Sequence, residues 1–260
     1  MTSISVYIVA YNEETKVQAA LESVGWADEI VLGDSGSTDR TVELAEGFGA
    51  RVIQIPFEGF GNLRNRTVEA CSHEWIFSLD ADERCTEEVR DEIKGVIADP
   101  DALDAYFVPR RNYFLGRWIR HSGWYPDYRQ PQLFRKGTLR YREDLVHEGF
   151  IVGPRIGHLK HAIWQFPFQD LSEVLAKMQR YSSLGAEKLT LHGAKSSMGK
   201  ALLHAIVAFI RIYIIKAGFL DGWAGFVIAL GNFEGTFYRY AKRAVDQNRW
   251  NMPPIKLDKS

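Results

Sequence analysis

The apolar run Trp75-Ile-Phe-Ser-Leu79 ends abruptly in Asp80-Ala-Asp82-Glu83. Residues i and i+2 of a strand face the same side, so the spacing predicts that Asp80 and Asp82 converge on one point. Two hard oxygen donors at the end of a strand suit Mg²⁺ or Mn²⁺ that is also held by a diphosphate. A second Asp-x-Asp, Asp99-Pro-Asp101, sits among turn residues with no strand before it and reads as a solvated loop. Two further polar clusters follow apolar runs: Tyr11-Asn-Glu-Glu14 and Asp34-Ser-Gly-Ser-Thr-Asp39. A carboxylate in such a position, Asp34 for example, can accept from a uracil N–H or a ribose hydroxyl, or it can form the turn ahead of Gly36.

Chemistry at these clusters requires elements that bring them together. Ile4–Ala10, Glu29–Gly33, Arg51–Ile55 and Glu74–Leu79 read as strands, rich in β-branched and apolar residues. Between them, segments ending near Val24, spanning Arg40–Phe48 and spanning Asn62–Cys71 read as helices, the second with Ser37, Thr38 or Asp39 as N-cap. The alternation predicts a mostly parallel α/β sheet with helices on both faces, whose ligands lie beyond the C-terminal strand ends. All three polar clusters then gather on one sheet edge. From Ala105 the pattern becomes mixed and antiparallel, with expected strands at Tyr106–Leu115 and Gln132–Arg135. Trp118, His121, Trp124, Tyr125 and Tyr128 lie between those strands, placed either for core packing or for stacking on sugar rings. No Gly-x-Gly-x-x-Gly or Walker-type loop is present, which argues against dinucleotide or P-loop binding.

At 260 residues the chain has room for one large domain or for a domain with a helical appendage. Its two cysteines, Cys71 and Cys85, exclude a disulfide scaffold and a cysteine-based zinc site. Met1 leads directly into a strand-like run without the pattern of a secretory leader, so a cytosolic location is expected. The net charge of −1 conceals an asymmetry: Lys200–Ser260 holds nine Lys and Arg against four Asp and Glu, so the preceding residues are acidic. From Met198 a helix is expected that is apolar nearly all round, with Lys200, His204 and Arg211 in a narrow stripe. A second apolar segment, Gly222–Phe237, runs into Tyr238-Arg-Tyr-Ala-Lys-Arg243. A basic, apolar, aromatic tail is expected to lie on an anionic membrane surface, the alternative being a helical hairpin packed on protein. Nucleic acid is not expected as a partner, since the cations lie among Ile, Phe, Trp and Leu.

Together the runs Val9-Ala-Tyr-Asn-Glu-Glu14, Val31-Leu-Gly-Asp-Ser-Gly-Ser-Thr-Asp-Arg-Thr41 and Leu79-Asp-Ala-Asp-Glu83 resemble a family-2 glycosyltransferase of GT-A fold. Gln130-Pro-Gln-Leu-Phe-Arg135, Val146-His-Glu148 and the apolar tail are similar to a narrower group, the lipopolysaccharide-core β-1,4-glucosyltransferases. The resemblance implies a GT-A domain over residues 1–197, with a nucleotide-sugar half at 1–104 and an acceptor half at 105–197, and a membrane-interface tail at 198–260. It implies that Tyr11, Asn12 and Glu13 border the nucleotide, that Asp34 holds the base, and that Asp82 is the chief ligand of a divalent ion. Asp80 would support the ion or the ribose. Arg64 is expected either to contact the diphosphate or to form a surface ion pair, and His161 is a further candidate metal ligand. Inverting transfer needs a base for the acceptor hydroxyl, and the candidates are Glu148, Asp144 and Glu143. The implied activity moves a hexose, glucose from UDP-glucose, to a lipid-linked saccharide at the inner face of the cytoplasmic membrane. Transfer to a polyprenyl phosphate is an alternative acceptor reading. A nucleotidyltransferase is a different class, disfavoured because Tyr11-Asn-Glu-Glu14 stands where a basic phosphate loop belongs.

Overall fold

A computed structural model describes residues 2–143 and 149–247. In chain order the elements are β1 (Ile4–Ala10), α1 (Val17–Ser23), β2 (Glu29–Asp34), α2 (Thr41–Phe48), β3 (Arg51–Gln54), α3 (Phe60–Ala70) and β4 (Trp75–Asp80). There follow β5 (Glu83–Arg84), α4 (Glu87–Ala98), β6 (Ala105–Phe107), β7 (Arg110–Phe114), β8 (Arg117–Trp118), β9 (Pro131–Arg135), β10 (Leu139–Tyr141) and β11 (Phe150–Val152). The last are β12 (Ile156–His158), β13 (Ile163–Phe168), α5 (Leu171–Leu191), α6 (Met198–Ile210), a π-helical turn Arg211–Ile215, a 3-10 turn Gly218–Asp221, and α7 (Trp223–Gln247).

The chain divides into two compact units, one of residues 1–113 and 125–167, the other of residues 114–124 and 168–260. The division falls before α5, earlier than the tail boundary at 198 expected from composition, and α5 packs along α7 within the second unit.

The first unit is built on a seven-stranded sheet of order β12-β6-β9-β4-β1-β2-β3. β1, β2, β3 and β4 are parallel, whereas β9 runs antiparallel to both β4 and β6. Burial on both faces explains why these strands read as continuous apolar runs. Ile4, Val6 and Ile8 of β1 join Trp75, Phe77 and Leu79 of β4 in one core, while the alternate residues Tyr7 and Ile76 join Val31 and Phe134 in another. The expected strand Tyr106–Leu115 is two strands, β6 and β7, broken around Val108-Pro109, where the proline has no N–H to continue a ladder. β5, β13 and β7 lie side by side in a smaller sheet. Cys71 and Cys85 are buried free thiols, each pushed up to about 12 mainly by burial.

In the second unit α6 and α7 pack together, with Ala201 and Ala205 fully buried on α6 and His204 stacked on Tyr240 at 4.4 Å. Lys242 of α7 reaches back to α5, donating to the hydroxyls of Ser182 and Ser183. Residues 114–124 complete this unit's core, where Phe114, Ile119 and Trp124 meet Ala224 and Ile228.

Candidate active site

Strand register brings the three polar clusters to one edge of the first unit: Ala10 lies opposite Asp34, and Val9 opposite Asp80. The two loops after β1 and β2 are stitched together. Asn12, held at φ 54°, donates its N–H to Ser37 Oγ and accepts from Thr38 N at 2.8 Å. The Glu13 N–H donates to Thr41 Oγ1, the Glu14 N–H to Asp39, and the Glu14 carboxylate accepts from Arg40 N. Asp39 also accepts from Thr41 N just ahead of α2, whose N-cap is Arg40, without a side-chain cap, and not Ser37, Thr38 or Asp39. Tyr11 projects from the stitched loops and is 59% exposed.

Asp34 has a different place from the one expected. Its side chain is fully buried and accepts from Gly36 N, Ser37 N and the Ser37 hydroxyl. The carboxylate thus shapes its own turn, whose Gly36 takes φ 93°. The turn-forming alternative open at the sequence level is the one the structure adopts.

Asp80 and Asp82 do not behave as an i, i+2 strand pair, because β4 ends at Asp80 and residues 81 and 82 form a turn. Asp80 accepts from Arg64 of α3 at 2.6 Å, and its own N–H donates to Glu83 Oε2 at 2.9 Å. Burial works to raise the Asp80 pKa, but Arg64, with Arg110 and Arg129 behind it, outweighs burial and holds the carboxyl below its ordinary value. Arg64 is therefore an internal partner of Asp80; it also approaches the hydroxyls of Tyr7 and Ser78 and lies over the Tyr141 ring. Asp82 is half-buried, with both carboxylate oxygens 3.3 Å from Gln165 Nε2 of β13. Its turn is tied to the first loop by Arg84, which donates to Ala81 O and Lys16 O.

Behind the strand ends lies a buried charge cluster that the sequence did not reveal. Glu83 is inaccessible and accepts from Arg110 Nε at 2.5 Å and from Gln132 Nε2 at 3.0 Å. Burial pushes its pKa up to about 7; Arg110 pulls it down, and Asp80 and Asp82 push it up again. Gln132 belongs to the Gln-Pro-Gln-Leu-Phe run singled out above, but no sequence signal marked Arg110 or Gln165. Alongside, the hydroxyls of Tyr7 and Tyr141 share a buried hydrogen bond of 2.8 Å.

His161 is not brought to Asp82 as a ligand: its ring and its backbone N–H both bind Glu92 of α4, each at 2.9 Å. Among the described residues no three His, Cys, Asp or Glu side chains form a metal-holding group. The donor set still fits Mg²⁺ or Mn²⁺. Asp82 offers hard carboxylate oxygens at a partly open strand end, and ions of this kind take only one or two protein carboxylates, completing their shell with water and substrate phosphate. Asp144 and Glu148 lie outside the described residues, between β10 and β11. Glu143 is described and accepts from Asn65 Nδ2 at 2.9 Å. Of the aromatic residues between β7 and β9, Trp124 packs in the core of the second unit, while Tyr125 and Tyr128 of the first unit stay exposed.

The glycosyl transferase family 2 model matches residues 5–165. That match takes in the whole sheet edge, and the chain belongs to this family: it is a glycosyltransferase of GT-A fold. It is 30% identical to the lipopolysaccharide core biosynthesis glycosyltransferase LpsC of Rhizobium meliloti, over 92% of this chain and 91% of LpsC. A glycosyltransferase of Rickettsia bellii is 28% identical over 92% of this chain and 85% of its own length. Among solved structures, glucosyl-3-phosphoglycerate synthase of Mycobacterium tuberculosis, crystallised with Mn²⁺, UDP and glucosyl-3-phosphoglycerate, matches 42% of this chain and 44% of that one, with 26% identity and a TM-score of 0.38.

Proposed function

We propose that the protein transfers a hexose, glucose from UDP-glucose, onto a lipid-linked saccharide of the lipopolysaccharide-core type, working peripherally at the cytoplasmic face of a membrane. The observation that carries the donor half is the register that sets the loops after β1 and β2 beside the Asp80–Asp82 turn on one sheet edge. The near full-length likeness to LpsC supports the acceptor class. Tyr11, exposed on the stitched loop, would lie against the base, with the Asn12–Glu13 backbone bordering the nucleotide. Asp82 would hold Mg²⁺ or Mn²⁺, an ion that neutralises charge developing on a departing diphosphate. Arg64 holds Asp80 in place, and Glu83 fixes the Asp80 backbone through its N–H, so the turn that carries Asp82 is preorganised. The proton of the acceptor hydroxyl would go to a carboxylate between β10 and β11, Glu148 or Asp144.

The test is slow hydrolysis and binding of a panel of nucleotide sugars, with and without Mn²⁺, by the native protein and Asp82→Ala. Metal-dependent use of one UDP-sugar, at least a hundredfold weaker in the variant, is the expected result. Hydrolysis unaffected by Asp82→Ala would remove the assigned metal site. Transfer to a polyprenyl phosphate in preference to a lipid-linked saccharide would replace the acceptor.

A further inference from the structure

Within the second unit, the π-helical turn Arg211–Ile215 and the 3-10 turn Gly218–Asp221 make an apolar bend between α6 and α7. Ile214, Ile215, Phe219, Leu220 and Trp223 are between 49% and 71% exposed. The first two end, and the other three follow, an 18-residue stretch, Met198–Ile215, long and apolar enough to cross a membrane by length and composition, of which only 11% is buried. The bend is held by close backbone contact: a Cβ at Gly225 would stand 1.8 Å from Gly218 O.

Residues 114–124 are fastened to this bend. Ser122 donates its N–H to Lys216 O at 2.9 Å and its hydroxyl to Asp221 Oδ2 at 2.9 Å. Asp221 also accepts from the N–H groups of Arg120 and His121. Ser122 and Ala217 both take positive φ, 58° and 53°, a conformation costly for residues with a Cβ and one these contacts must hold. The fastening sets charge in a particular way. Segments 114–124 and 211–223 contain four cations, Arg117, Arg120, Arg211 and Lys216, all exposed, and one acid, Asp221, which is 3% exposed and turned inward. The Arg117 guanidinium lies over Gly222, and the Lys216 stem lies beside Gly123.

We infer that residues 114–124 and 211–223 together form one docking surface for an anionic lipid bilayer, with Phe219, Leu220 and Trp223 entering the interface and Arg117, Arg120 and Lys216 binding headgroup phosphates. Exposed apolar side chains and exposed cations in the same two segments, with the segments' one carboxylate buried, complement an anionic lipid surface. A second copy is a poor occupant, since a symmetric contact through this face sets like charges against each other. The inference rests on the reading of the tail as membrane-facing and extends the surface to a segment far away in sequence. Its consequence is that lipid contact and the setting of the Arg117–Trp124 loop are mechanically one event.

The experiment is sedimentation of the full chain with vesicles of phosphatidylcholine alone or with one quarter phosphatidylglycerol, at fixed salt. The native protein binds the anionic vesicles. Arg117→Ser/Lys216→Ser weakens that binding about thirtyfold, roughly fivefold for each cation, and Phe219→Ser/Leu220→Ser weakens it at least tenfold. All the altered side chains are exposed, and thermal melts check that the variants fold; Arg120→Ser repeats the charge test at a third position. Native protein that ignores anionic vesicles overturns the membrane reading itself. Undiminished binding by a further variant, Arg117→Ser/Arg120→Ser, leaves the tail reading standing and overturns the part assigned to residues 114–124. A rise in mass with protein concentration, abolished by Leu220→Ser without any vesicle binding, makes a second copy the occupant and overturns the inference.

Discussion

Arg110→Met isolates the buried charge cluster behind the strand ends. Both members of the Arg110–Glu83 pair are out of contact with solvent, at 2% and 0% side-chain exposure. Glu83 has its pKa pushed from 4.5 to about 7, with burial the largest influence and Arg110 the largest opposing one. Methionine keeps much of the arginine's bulk but removes that opposition, so the Glu83 pKa in the variant rises above 7. Unfolded Glu83 loses its proton near 4.5, whereas folded Glu83 keeps it. Between the two values the folded state binds more protons, and stability falls as pH rises, by about 1.4 kcal/mol per pH unit. In the native protein this decline stops near pH 7. In Arg110→Met it continues, so the stability gap between the two proteins widens above pH 7. Two further pH units of decline amount to about 2.7 kcal/mol, comparable with the cost of breaking a buried pair. Urea unfolding followed by tryptophan fluorescence at pH 6, 7, 8 and 9, in chelator, reads the gap directly. Arg110→Met/Glu83→Gln, which has no charge to lose, should show a gap that does not widen above pH 7. A gap in the single variant that is the same at pH 6 and pH 9 would refute the reasoning.

Two other expectations concern the first unit. Glu29 is held at a pKa of about 2: burial alone would raise it, but donors from Ser5, Arg51 and Ser72 outweigh burial. Its contribution is complete above pH 4.5 and disappears as pH falls towards 2, so Glu29→Gln should cost about 2 kcal/mol at pH 7 and little at pH 2, read by denaturant unfolding at each pH. At Gly61 a Cβ would meet the Arg142 backbone O at 1.9 Å, so Gly61→Ala should separate α3 from the backbone that follows β10. The expected loss is about 2 kcal/mol in thermal unfolding, and an unchanged melting temperature would show that this backbone yields freely.

The alternation of apolar runs and helical segments determined β1 to β4 and their helices to within a few residues, because strands buried on both faces must be apolar throughout. The residues following β1, β2 and β4 were legible as one edge for the same reason, since parallel strands end together. The turn at Asp99-Pro-Asp101 was legible as well, and Asp101 N does donate to Asp99 Oδ1. What each carboxylate does on that edge was not. Asp34 and Asp80 look equivalent in sequence, but one is occupied by its own turn and the other by Arg64, a residue of a different helix. His161 looked available and is bound by Glu92. Glu83, Arg110, Gln132 and Gln165 meet only because β13 and β9 return beside β4 and β5, pairings between residues as much as 83 positions apart. The same holds for residues 114–124, whose Phe114 and Ile119 meet Ala224 and Ile228 in the core of the second unit. Local periodicity sets which segments are strands and helices and where they end. The partner of a polar group is set by whichever distant element burial brings beside it, and that only the tertiary structure decides.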